Sequence, residues 1–384
     1  MKFIIKYGIG IYLIVTLLFK LGFILPHAFT NVIYYILMAA GVIVVPFYSK
    51  VIFSSKSIRV FWVFHAVNLL NFIYLLIFGL TNMDSWLYFL TKFSTFNLII
   101  LAFVYNYEFY KDSFVKYYKY IILLMLLMGV FFSGVTDDSA GRLSAGFNPN
   151  DVGIFGLMGL FSVIILNKQW AKSKIDLALV AVFFVFALLS GSKATLLGIG
   201  LLGFMNYGLS LKSVGLAILA IGAIFIVSNF GYKTSVDRVF SKERTFETRD
   251  EVYKNGMLTF EESPVVGHGL DKYGWSNPKY FENPEDALGP HNTYIAIGIM
   301  YGILFGSAFL IILFSFLLFT KKISFSSGDE FTRYSFYFML LILIIGFFET
   351  LIVGVNETVT LQFWVCLGVV AYNYSLNKEN VRGN

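Results

Sequence analysis

Cysteine is almost missing. The single residue, Cys366, lies within an apolar stretch, which excludes a disulfide framework and makes redox chemistry a poor reading of the chain. Histidine is scarce as well: four residues, without ligand spacing, make no zinc site. Charged residues are only 14% of the 384, against 58% hydrophobic, and mean hydropathy is +0.74. A soluble domain of this length could not carry that composition on its surface, which leaves burial in lipid. Tandem repeats and inverted pairs of Gly/Pro-broken spans are not evident, which weakens a transporter reading.

What is present is a succession of apolar runs of the length that crosses about 30 Å of hydrocarbon. They fall near 7–25, 30–48, 60–80, 86–105, 117–136, 151–167, 175–191, 194–210, 213–231, 292–320, 333–350 and 357–376. The expectation is an all-α polytopic membrane protein of about 12 transmembrane helices, a single transmembrane domain over residues 1–384. The first run has no small-residue cleavage site and is expected to remain as an anchor. With a cytoplasmic N-terminus, the inner segments collect Lys50, Lys56, Arg59, Lys111, Lys116, Lys119, Lys172, Lys174, Lys321 and Lys322 among others, while the short outer loops carry only Arg142 and Lys193. That asymmetry predicts cytoplasmic ends in a multi-pass protein. The net charge of +6 is then a topology signal and gives no support to nucleic-acid binding.

Two outer segments stand apart from the short connections. The first, 136–150, is polar and closes on the turn Asn148-Pro149-Asn150-Asp151, suited to starting a helix. The second, 232–291, is roughly sixty residues long and joins the ninth and tenth spans. Its part 242–260 reads as helical, and the rest, rich in Gly, Pro, Asn and Asp, as irregular.

Four outer-face features could carry chemistry: Arg142 with the Asn-Pro-Asn turn, Ser190-Gly191-Ser192-Lys193, the loop residues Arg244 and Arg249, and His291-Asn292 at the mouth of span ten. Cations at a membrane boundary suit a phosphate-bearing anion, since the arginine fork binds phosphate oxygens bidentately and lysine adds a point charge. Such groups stabilise a diphosphate leaving group as its bond breaks. An imidazole at position 291 could take a proton from an attacking hydroxyl. Blander readings stand beside these. Arg244 and Arg249 could pair with Glu243, Glu247, Asp250 or Glu251, Lys193 could snorkel, Arg142 could pair with Asp137 or Asp138, and His268 reads as a turn residue. Lys20 and Lys92, inside spans one and four, could snorkel or line a polar cavity.

Asn148-Pro149-Asn150, Ser190-Gly191-Ser192-Lys193 and the stretch from Thr248-Arg249 through Ser263-Pro264-Val265-Val266-Gly267-His268-Gly269 to His291-Asn292-Thr293-Tyr294 resemble the O-antigen ligase and polymerase superfamily of bacterial membrane enzymes. The resemblance covers roughly residues 140–310. It implies a GT-C-like fold with a large, partly helical outer loop between spans nine and ten, in the cytoplasmic (inner) membrane. It also implies a glycan polymerase joining undecaprenyl-diphosphate-linked repeat units, with no cofactor. The nearest alternatives are a ligase acting on lipid A core or protein and a non-enzyme, a lipid-linked oligosaccharide flippase. By resemblance His291 and Arg249 are catalytic; Lys193, where the family usually has arginine, Arg244 and Arg142 hold diphosphate; Asn292, Asn150 and Tyr294 support them. The resemblance implies a lipid-linked donor and acceptor as partners and allows a chain-length regulator protein. The first outer loop carries no carboxylate, unlike that of metal-dependent GT-C enzymes, and the resemblance implies a metal-free, inverting transfer.

Overall fold

The computed structural model describes residues 1–22, 26–134, 142–167, 169–208, 245–270, 278–280, 289–326, 329–355 and 357–382. Among these the protein is helical, with no β-strand. The helices are α1 (Lys2–Lys20), α2 (His27–Ile52), α3 (Ser55–Val60), α4 (Trp62–Tyr74), α5 (Met83–Ser133), α6 (Pro149–Ile164), α7 (Lys174–Leu189), α8 (Lys193–Tyr207), α9 (Thr245–Glu262), α10 (Thr293–Ser326), α11 (Glu330–Ile345) and α12 (Thr358–Arg382).

Six stretches in the described residues are long and apolar enough to cross a membrane: Lys2–Lys20, His27–Ile52, Trp62–Gly79, Met83–Ser133, Thr293–Lys322 and Thr358–Leu376. Pro149–Ile164 and Lys193–Asn206 are apolar but shorter. The expected ninth span, 213–231, lies outside the described residues. Large apolar side chains stand exposed around the bundle, Phe131 at 82% and Phe47 and Phe319 at 66%. Lipid is the solvent such a surface requires, and the chain is an integral membrane protein.

One feature departs from the sequence expectation. The fourth and fifth runs are two arms of one helix, α5, broken only by non-helical torsions at Asn106. No Gly or Pro interrupts the polar stretch between the arms, so nothing there stops helix propagation. The second run keeps Pro46 inside α2, and the torsions break two residues later, at Tyr48.

The first arm of α5 is the spine of the fold. Phe96, Leu98, Ile99, Ile100, Leu101 and Ala102 are each at most 1% exposed, and α5 as a whole packs against α1, α2, α4, α6 and α12. Phe96 meets the Trp364 ring of α12 at 4.7 Å. α6 lies closest to α7, because a Cβ on Gly156 would come within 2.8 Å of the Ala187 backbone nitrogen. Small residues at this spacing let membrane helices approach through their backbones.

α10 is broken at Gly302, whose φ of 65° lies in the left-handed region. The break leaves helix carbonyls and amides without their usual partners, and the segment after α9 supplies them. His268 N and Gly269 N donate to the carbonyls of Ile299 (2.7 Å) and Met300 (3.1 Å), while Ile303 N and Leu304 N donate to those of Pro264 (2.8 Å) and Val265 (3.2 Å). Tyr74 of α4 adds its hydroxyl to the Val266 and Met300 carbonyls at 2.7 and 2.9 Å. Ser263-Pro264-Val265-Val266-Gly267-His268-Gly269 is therefore a plug for a helix break, which is how non-helical backbone is tolerated at membrane depth.

Candidate functional site

The site forms at one end of the bundle, where α1 ends and α6, α8, α10 and α12 begin. Asn148 caps α6 by accepting from Asn150 N at 2.9 Å, and Pro149 occupies the first helical position, where its missing N–H removes nothing. Asn150 is thereby held with its amide outward. Its Oδ1 accepts from Arg142 Nη2 at 2.9 Å, and its Nδ2 donates to Glu349 Oε1 at 2.9 Å. The other oxygen of Glu349, Oε2, lies 3.1 Å from His291 Nδ1. Arg142 Nε donates to the Ser190 carbonyl at 2.9 Å, and the arginine stem lies over Gly191, where a Cβ would approach Nε to 3.0 Å. Ser192 then caps α8 by accepting from Thr195 N, which places Lys193 at the first position of that helix.

One hydrogen-bonded chain, Ser190–Arg142–Asn150–Glu349–His291, thus joins three of the four features expected from the sequence. Arg244 lies outside the described residues, and Arg249 lies on α9 one turn before Tyr253, with its side chain outside the description. Tyr253 donates to the Phe347 carbonyl at 3.2 Å, which brings α9 over the segment that carries Glu349.

His291 has φ 43°, unusual for a residue with a Cβ. Sparsely populated torsions of this kind cost about 1–3 kcal/mol and persist only where the surroundings impose them. Pro290 precedes it, and Asn292 follows as the cap of α10, accepting from Tyr294 N (2.9 Å) and Ile295 N (3.1 Å). Asn292 also donates to the Phe347 carbonyl at 3.1 Å, while Tyr294 donates to the Leu343 carbonyl at 2.7 Å and lies 4.5 Å from the Phe347 ring. Both residues therefore fasten α10 to the end of α11.

Glu349 is the functional candidate that sequence reasoning missed. It closes the apolar run 333–350, but α11 ends at Ile345 and the described residues 346–355 and 357 form a connection. That connection is pinned in several places. Thr293 N donates to the Gly346 carbonyl (2.7 Å), and its hydroxyl donates to the Glu349 carbonyl (2.9 Å) and accepts from Leu351 N (3.0 Å). Tyr34 donates to the Val355 carbonyl at 2.9 Å, and Lys92, 4% exposed, donates to that of Gly354 at 2.7 Å. Lys92 is thus a buried anchor, and Lys20 is a boundary residue at the last position of α1, ion-paired with Asp151 at 2.9 Å. Their polar roles are the ones a rare intramembrane cation signals.

A carboxylate can only accept, so an imidazole that carries one proton donates from Nδ1 to it and keeps its lone pair on Nε2. This is the arrangement of a general base with its orienting acid. A cavity of about 270 Å³ opens beside it, lined by His291, Asn150, Asp151, Glu349, Glu357 and Lys20 among others.

Residues 177–310 match the family model described as O-antigen ligase. The match runs from α7 through the Gly302 break and contains Lys193, Arg244, Arg249, His291, Asn292 and Tyr294; Arg142, Asn150 and Glu349 lie outside it. No curated protein matches the sequence.

Proposed function

Taking as premise that the chain belongs to the O-antigen ligase and polymerase superfamily, we propose that it is a glycosyltransferase that polymerises lipid-linked oligosaccharide repeat units at the outer face of the cytoplasmic membrane. In this reading about twelve spans place both termini in the cytoplasm. The carrying observation is the His291–Glu349 pair, tied through Asn150 and Arg142 to the turn that presents Lys193.

The acceptor is the terminal sugar of one undecaprenyl-diphosphate-linked unit, and the donor is the growing chain on another. An acceptor hydroxyl attacks the donor's anomeric carbon from the side opposite the diphosphate, forming the new C–O bond as the old one breaks. The bonding pair leaves with undecaprenyl diphosphate, and the hydroxyl proton passes to His291 Nε2. Glu349 stabilises the imidazolium, and the configuration at carbon inverts. Lys193, Arg249 and Arg244 balance the charge that develops on the diphosphate, the part a metal ion plays elsewhere. Arg142 contributes charge at a distance while its Nε and Nη2 hold Ser190 and Asn150.

A ligase is the second reading, favoured by the description of the matched family. Both activities use the same donor and differ in the acceptor. Surface polysaccharide from a deletion strain separates them. Loss of the ladder with one repeat unit retained supports polymerase; loss of every glycan-capped band with accumulation of lipid-linked polymer supports ligase. Full activity in a His291→Ala, Arg249→Ala double variant eliminates the mechanism in either case.

A further inference from the structure

The cavity beside His291 has a wall chemistry unlike that of a diphosphate site. Three carboxylates line it, Asp151, Glu349 and Glu357, against one ammonium, Lys20. Lys20 is ion-paired with Asp151, and the Glu349 oxygens are engaged by Asn150 and His291. Of the other nearby cations, Arg142 contacts Asn150 and Ser190, and Lys92 donates to the Gly354 carbonyl behind the wall while its charge acts, with that of Lys20, on Glu357, so three carboxylates face two ammonium groups. The cavity therefore presents a surplus of oxygen acceptors, which attract hydroxyl donors and repel phosphate or carboxylate. An independent feature points to a ligand in the same place. Thr358, 1% exposed, and Thr350 both belong to the lining, and behind that wall each has a buried hydroxyl with no hydrogen-bond partner among the described residues. Buried hydroxyls left unpaired are costly, and a ligand rich in hydroxyls removes the cost.

Resting on the glycosyl-transfer reading, we infer that this cavity is the acceptor subsite: it receives one pyranose ring of a neutral sugar, its hydroxyls donating to Glu349, Glu357 and Asp151, and it discriminates against a uronic acid. Its volume of about 270 Å³ is at the small end of ligand pockets, suited to a ring and not to a chain. His291 at the cavity wall then meets the hydroxyl that reacts, and the diphosphate is directed out of the cavity by like charge, toward Lys193 and α9. Acceptor choice and leaving-group binding are thus divided between two surfaces of opposite sign that meet at the histidine.

The test uses the full chain in lipid nanodiscs with two photoreactive probes, a diazirine-bearing methyl glucoside and the matching methyl glucuronide, with labelled peptides mapped by mass spectrometry. The glucoside is expected to label residues 346–360, and the glucuronide roughly tenfold less. Glu357→Gln is expected to narrow that ratio to below about threefold by removing repulsion. Thr358→Val, a near-isosteric change that provides a second route if the first variant fails to fold, is expected to weaken the glucoside label. Equal labelling by both probes, or a label mapped away from 346–360, overturns the subsite. Labelling needs no turnover. Failure of the transfer reading would therefore appear separately, as a wild-type protein that takes the glucoside label yet never extends a lipid-linked glycan.

Discussion

His268 and His291 both lie against α10, at its two backbone irregularities, and their surroundings differ in kind. At the Gly302 break, His268 is one part of a plug: its backbone N–H fills a helix carbonyl, and its Nε2 lies 2.6 Å from the Thr259 carbonyl. At the mouth of α10, His291 is held in a left-handed conformation with its ring against a carboxylate and a cavity beside it. The first irregularity is closed by main-chain hydrogen bonds; the second is left facing polar space. A backbone irregularity in a membrane helix can thus be filled from within or left open to a cavity, and the partner of the histidine ring marks the difference.

The contrast predicts its own tests. His291→Ala is expected to lower transfer by about 10²–10⁴-fold while the protein folds, and His268→Ala to leave most activity and reduce thermal stability; comparable activity losses in the two variants would erase the distinction. Glu349→Gln should lower kcat by roughly tenfold or more with little change in KM, because the imidazole loses the carboxylate that stabilises its charged form. Gly302→Ala should destabilise the protein by about 1–3 kcal/mol, read from thermal unfolding in detergent, since its Cβ would come 2.3 Å from the Val265 carbonyl oxygen. Lys193→Arg should keep most activity, and Lys193→Ala should raise KM for the lipid-linked donor, because the charge matters more than the geometry of its carrier. The smallest effect concerns the turn 278–280 beside the end of α9. Hydrogen bonds from Lys279 and then Tyr280 hold the exposed Glu262 carboxyl below its ordinary range. A lowered folded value makes this contact present above the unfolded value and lost as pH falls through the folded one, so hydrogen exchange at the end of α9 should quicken in acid.

Much of the bundle was legible because apolar length and helix signals act locally. The expected helix over 242–260 is present as Thr245–Glu262, and the Asn-Pro-Asn turn starts α6 as its cap chemistry requires. The candidate site was legible in part. Asn150, Arg142 and His291 were named from residue type and position, but what joins them is Glu349, a carboxylate hidden at the end of a hydrophobic run. Hydropathy averages over such a residue. The available signal was the rarity of an ionisable group there, the same reasoning that singled out Lys20 and Lys92. The motif around His268 illustrates the opposite difficulty. Its regularity drew a family resemblance, yet its contacts serve the break at Gly302, which only the path of α10 reveals.

That plug has a consequence for biosynthesis. Residues 263–269 precede α10 in the chain, so the ribosome delivers the filler before the helix that needs it. When Gly302 emerges and enters the bilayer, the donors and acceptors for its broken turn are already tethered a short distance upstream. The break in this helix therefore does not have to await any segment still to be translated.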